Sequence, residues 1–432
     1  MPKTLGKLKN NKIKYVIETN KCMNTTTVMV TIKTGSRNES ENVYGISHLI
    51  EHLLFQGTNN FSNKEMNKVI NMNGGSSNGS TTSTKTNYYI NIPNEKSEVA
   101  FVVLADMLYN SLFSNINKEK SVVLNEIITW KKKSIHMLLN EFSKLLYKNT
   151  VLEHYVGGTE KSIAKISMND ILSYYNKYYV DTNIVLSIAG NLSNRNIKKY
   201  LEYFNNKFIK RQVKKKYNFK STFYKNFYKK QNGFRFKYIK KNEAQTLISL
   251  GFPSYSRGND KNYILLLLSL ILVGIQSSKL TQEIREEKGL CYSLQDFSFS
   301  TYDTGAFHMV CGTFNKVQKI NEVLTIIFKH LEQIKNYLTI DELNLFKNYV
   351  VLKNKSKSNN SLDVSEFNAN NLLFYNKYIP LASIINKIKK IKLTDVKNVA
   401  KEIFQINKLN LCILGPVKFT KQHIINCFKS FK

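Results

Sequence analysis

Two histidines four residues apart, His48 and His52, enclose a glutamate in the run His48-Leu49-Ile50-Glu51-His52. On a helix, positions four apart share a face, so both imidazoles can reach one cation while the Glu51 carboxylate projects beside them. That donor set suits zinc. Catalytic zinc takes three protein ligands and leaves a position open, so a third donor is needed. Glu119 and Glu126 lie seven residues, or two turns, apart in a second helical stretch, and by spacing either can point at the metal. The competing reading is a helix with two incidental core histidines.

The elements that must hold these residues follow from periodicity. Strands are expected over 13–19 and 26–34, a turn over 35–38, and a helix with an apolar stripe over 44–54, closed near Gly57. Further strands are expected over 88–92 and 183–189, with helices over 97–112 and over a long stretch from 117 to about 148. After a Lys-, Tyr-, Phe- and Asn-rich stretch without period, the order repeats. Strands fall over 246–252, 305–312 and 409–414, and helices over 261–273, 316–337 and 341–355. The reading is α+β, with two similar domains, each a mostly antiparallel sheet packed with helices: residues 1–210, a linker over 211–240, and residues 241–432.

Composition narrows the class. Of 432 residues 42% are hydrophobic, with 25 Tyr and 25 Phe, enough for two cores. The net charge of +33 would attract acidic polymers, yet the lysines are spread along the chain among Asn and Ile, and no basic-aromatic motif gathers them, so nucleic acid is not the expected partner. The five cysteines are scattered without a C-x-x-C pair, which reads as reduced, buried thiols. Residues 1–11 lack the apolar segment of a secretory leader, and the longest apolar run, 264–275, is too short to span a bilayer and reads as a core helix. A cytoplasmic protein is expected, with an organelle matrix of mitochondrial type as the alternative.

The run His48 to His52, continued by Leu53-Leu54-Phe55-Gln56-Gly57-Thr58, resembles the inverted zinc motif of the pitrilysin and mitochondrial-processing-peptidase group, the inverzincins. The stretch from Glu119 to Glu126 is similar to that group's second acidic element. The resemblance implies that His48, His52 and Glu126 bind one zinc ion per chain, that Glu51 is the general base, and that Glu119 supports the site. It implies a substrate-pairing edge strand where Asn78-Gly-Ser-Thr81 and Tyr88-Tyr89 match, with Asn78 and Thr81 as substrate contacts. It also implies, from Arg285-Glu-Glu-Lys-Gly289-Leu290-Cys-Tyr292, that Arg285 and Tyr292 donate hydrogen bonds to the substrate. In this group two similar halves close like a clamshell around an unfolded peptide.

The resemblance thus implies a zinc endopeptidase acting on short or unfolded polypeptides held as an edge strand in a closed chamber. Being about half the length of the group's fused members, the chain is expected to pair as a homodimer or with a related subunit. The alternatives are an inactive scaffold of the same fold and a processing-peptidase subunit dependent on its partner. Two departures bear on specificity. Thr84 stands where the edge-strand motif has an acid, and His136 and Asn140 stand where presequence-binding subunits carry acids, close to Lys131, Lys132 and Lys133. Neutral or acidic peptides are therefore expected to be preferred.

Overall fold

The computed structural model describes residues 3–206 and 231–428. Twelve strands among them form two sheets. The first contains β1 (Lys3–Lys7), β2 (Lys14–Thr19), β3 (Thr25–Ile32), β4 (Ser76–Thr81), β5 (Thr86–Pro93) and β6 (Ile184–Gly190), in the order β1-β2-β6-β3-β5-β4. The second contains β7 (Arg235–Lys240), β8 (Thr246–Ser254), β9 (Cys291–Asp296), β10 (Phe299–Ser300), β11 (Gly305–Thr313) and β12 (Asn410–Gly415). Its order is β10-β11-β8-β12-β7, with β9 also on β11.

The sheets repeat one plan. In each, a single parallel pair, β2 with β6 and β7 with β12, is followed by antiparallel neighbours out to a short edge strand. This is the mostly antiparallel α+β duplication that element order predicts. The expected strand at 246–252 pairs with those at 305–312 and 409–414 in nearly the anticipated bounds.

The helices used below are α1 (Ile46–Leu54), α2 (Ser97–Asn110), α3 (Ile116–Lys132), α4 (Ser134–Leu146), α5 (Met168–Tyr178), α6 (Lys261–Ser269), α7 (Val317–Tyr337) and α8 (Ser361–Tyr375). Two compact units result, and their described parts are 3–129, 154–206 and 354–380 for one, and 130–153, 231–353 and 381–428 for the other. The first unit's core buries Val28, Val30, Ile32, Ile90 and Ile188 of its sheet against Leu49, Leu53, Phe101 and Leu104.

Four expectations need correction. The long helix from 117 to 148 breaks at Lys133, whose extended backbone (ψ 117°) cannot continue the helical path, and the part beyond it, α4, belongs to the second unit. There Leu138, Phe142 and Leu146 pack with Val310, Cys412 and Leu414. In return α8, from beyond the boundary drawn at residue 241, packs on the first sheet, with Leu372 and Leu373 against Val16 and Val185. The linker over 211–240 lies outside the described residues as far as 230, but residues 235–240 are strand β7, bonded in parallel to β12. The helix expected over 261–273 holds its α form only to Ser269 and continues as π-helical turns over Leu270–Gly274.

Candidate metal centre

Helix α1 is anchored by burial. Ile46, Leu49, Ile50, Leu53 and Leu54 are at most 1% exposed, and burying each such side chain is worth about 1.5–3 kcal/mol. Only His48 and His52 of this helix are less than fully buried, so the imidazoles stand on its one accessible face. The helix starts at Gly45, which has φ +93°, and a Cβ there would meet the Gly157 carbonyl oxygen at 2.6 Å. Glycine is the residue that tolerates both constraints. The buried Glu39 carboxylate accepts from the backbone N–H of Gly45 at 2.7 Å and of Ser47 at 2.9 Å, satisfying donors that a helix start leaves open. Burial pushes Glu39 up to about 7 against the pull of those donors. From below, the Tyr174 hydroxyl of α5 bonds the Ser47 and Thr34 hydroxyls, each at 2.8 Å.

Helix α3 brings the acids. It follows a turn in which Phe113 and Asn115 both adopt positive φ, 50° and 60°. Phe113 is held there by burial and by an edge-on contact with Tyr175 at 4.8 Å between ring centroids. Along α3, Glu119 is buried with Val123 and Ile127, while Glu126, two turns on, keeps half of its side chain in solvent.

These two helices bring three ligand atoms together. Nε2 of His48 and Nε2 of His52 are 3.3 Å apart, and Oε2 of Glu126 lies 3.7 Å from the first and 3.6 Å from the second. Tetrahedral zinc with ligands at about 2.0–2.2 Å places its ligand atoms about 3.3–3.6 Å from one another. The donor chemistry and the spacing of His48, His52 and Glu126 therefore fit a zinc ion. On the far side of the His52 ring, Nδ1 is 3.3 Å from Oε2 of Glu119, a contact that leaves Nε2 to face His48 and Glu126. Burial, with His52 alongside, pushes His48 down to about 4, so its ring is neutral and offers a lone pair at ordinary pH.

Glu51 points from α1 toward the edge strand β4. It is 8% exposed, and burial, the largest influence, raises its pKa. The Thr81 hydroxyl donates to its Oε2. Behind it lie Tyr88 and Tyr179, whose hydroxyls are 2.8 Å apart and whose ionisation the Glu51 charge opposes. Tyr155, half buried, has its hydroxyl pKa raised by burial and by the nearby Glu126.

The remaining sequence-predicted residues are placed as follows. Along β4 the exposed side chains are Ser76, Asn78 and Ser80, while Ser77, Gly79 and Thr81 alternate to the face toward α1. Asn78 thus turns away from Glu51, and its Oδ1 accepts from the Gly79 N–H at 2.8 Å. Arg285 and Tyr292 belong to the second unit. Tyr292 is 78% exposed at the start of β9, and Arg285 lines a cavity of about 460 Å³ there with Gln276, Thr281 and Gln295. Glu39, Tyr174 and Tyr155 carry no signal in the sequence: Glu39 reaches Gly45 and Ser47 through irregular backbone before α1, and the partners of the two tyrosines lie far away in the chain.

Fold and centre define a two-domain α+β chain with a His-Glu-His metal helix. The family model described as insulinase (peptidase family M16) matches residues 14–160, and that described as the peptidase M16 inactive domain matches residues 165–350. The chain belongs to peptidase family M16. It is 30% identical over 401 residues to a protein named "Uncharacterized zinc protease YmxG" of Bacillus subtilis, covering 91% of this chain and 94% of that one. Among solved structures it resembles a protease from Helicobacter pylori, with a TM-score of 0.86 and 22% identity over 96% of this chain and 99% of the other. It also resembles a chain of Complex III2 from Candida albicans, with a TM-score of 0.79 and 16% identity over 98% of this chain and 99% of that one. No helix of the described residues is long and apolar enough to cross a membrane.

Proposed function

We propose that the chain is a zinc-dependent endopeptidase acting on short or unfolded polypeptides. The observation that carries the reading is the triangle of His48 Nε2, His52 Nε2 and Glu126 Oε2, with Glu51 buried next to it. When bound, zinc would supply Lewis-acid polarisation and make water acidic enough to lose a proton near neutral pH.

Each residue then has a defined task. His48, His52 and Glu126 hold the metal, and Glu119 orients the His52 ring. Glu51 receives the proton of the attacking water on its carboxylate and passes it to the leaving amine, a role that a raised carboxylate pKa suits. Strand β4 is the outermost of its sheet, and no strand among the described residues pairs on its other edge. Its open backbone N–H and C=O groups can take an extended peptide as one more strand, holding the scissile bond beside Glu51.

Arg285 and Tyr292 enter the proposal as hydrogen-bond donors to the substrate. Their support is the R-x-x-x-G-L-x-Y motif and the solvent access of both side chains. A partner subunit, identical or related, is part of the proposal, and the mass of the purified chain in solution tests it.

The decisive experiment combines metal analysis with hydrolysis of internally quenched peptides by the wild-type chain and by Glu51→Gln. Bound zinc with activity that vanishes in the variant supports the reading. A zinc-free wild-type chain without activity would instead favour the scaffold reading.

A further inference from the structure

The structure gives Thr81 work other than the substrate contact that the sequence motif implies. We propose that Thr81 is a positioning residue for the general base, its hydroxyl fixing the Glu51 carboxylate against the inner face of β4. The inference rests on the peptidase reading above and deepens it.

Three observations converge on this role. Thr81 and Gly79 share the face of β4 that looks toward α1, two residues apart on a strand of period two. The Thr81 hydroxyl donates to Oε2 of Glu51. On the same face a Cβ added to Gly79 would lie 2.7 Å from Oε1 and 2.8 Å from Cγ of Glu51, so the carboxylate rests directly on the strand backbone. Glu51 is thereby held from two sides, by a hydroxyl at one oxygen and by bare backbone at the other.

The arrangement has a functional consequence. Strand β4 is the strand proposed to receive the peptide, so its backbone would set the register of the scissile bond. Tying the base to the same strand makes the position of Glu51 and the position of the attacked carbonyl depend on one element. A base that must be within hydrogen-bond reach of the proton it takes gains from such coupling. Threonine also suits the place sterically, because its β-branch restricts χ1 and keeps the hydroxyl aimed.

Substrate contact and base positioning separate in kinetics. Thr81→Val keeps the side-chain shape and removes the donor, whereas Thr81→Ser keeps the donor. With zinc content unchanged, positioning predicts that Thr81→Val lowers kcat about tenfold to a hundredfold and leaves KM within about twofold. Thr81→Ser recovers most of the loss. A raised KM with unchanged kcat would overturn the proposal, and so would a Ser variant as impaired as Val.

A readout independent of turnover is the crystal structure of Thr81→Val. The Glu51 carboxylate is expected to leave the inner face of β4, and an unmoved carboxylate would overturn the proposal whether or not peptide is cut. Absence of peptide cleavage by zinc-loaded wild type would count against the peptidase reading alone, and the position of Glu51 in the variant would still decide the role of Thr81.

Discussion

Nδ1 of His52 lies 3.3 Å from the Glu119 carboxylate, and through that contact the other ring nitrogen is turned toward His48 and Glu126. The carboxylate is 4% exposed and comes from a neighbouring helix, so the ring orientation is set before any metal arrives. Glu119→Gln is therefore expected to weaken zinc about tenfold to a hundredfold in competition with a chelator, while the circular dichroism of the chain is unchanged.

The start of α1 is a second point of sensitivity. Gly45→Ala puts a Cβ at a left-handed backbone position and 2.6 Å from the Gly157 oxygen. The loss expected in chemical denaturation is about 1–3 kcal/mol from the backbone conformation, with the contact adding to it. Zinc affinity should fall with it, because His48 sits in the first turn of the same helix.

How much of this could be read in the sequence differs from residue to residue. His48, His52 and Glu51 were legible because a helix converts spacing directly into direction, and the same rule put Glu119 and Glu126 on one face. Spacing alone does not say which acid turns toward the two histidines. Burial distinguishes them in the structure, with Glu119 inside and Glu126 at the surface, and burial depends on what packs around α3. Strand β7 was invisible for a similar reason: Arg235, Lys237 and Lys240 dilute any alternation, and the strand exists through its pairing with β12, 175 positions later. The placement of α8 on the first sheet is likewise a long-range outcome. There Ser365 bonds the Thr27 carbonyl and Asn368 bonds Glu18. The bond from Thr81 to Glu51 has no signal in the sequence, because a motif records residue type, while the hydroxyl's target is fixed by how α1 packs on β4.

The charge of the chain carries a prediction about substrate choice under the peptidase proposal. The chain carries a net +33, and the resemblance to presequence-binding subunits implies acids at the positions that His136 and Asn140 hold here. Matched quenched peptides that differ only in Asp/Glu against Lys/Arg content should be cut with higher kcat/KM when acidic, and the difference should shrink as salt is raised. A strong preference for basic peptides would refute this.

In the second unit, His308 of β11 is buried, stacked on Phe142 with centroids 3.8 Å apart, and bonded to the Ser249 hydroxyl at 2.7 Å. Burial pushes it down to about 3 from an ordinary value of 6.5. The folded state therefore resists the proton that the unfolded state accepts. The contribution to stability is fully present above 6.5 and is lost as pH falls from there toward 3. Urea unfolding followed between neutral and mildly acidic pH should show this slope, and His308→Gln should flatten it by about 1.4 kcal/mol per pH unit within that window.

The central claim is that the triangle of His48, His52 and Glu126 holds zinc for a reaction in which Glu51 moves the proton. It is tested most directly by measuring zinc stoichiometry and peptide hydrolysis together for the wild-type chain and Glu51→Gln. The account predicts one zinc per chain in both proteins, with hydrolysis lost in the variant by a factor of at least about a hundred. A variant that keeps its zinc and full activity would contradict it.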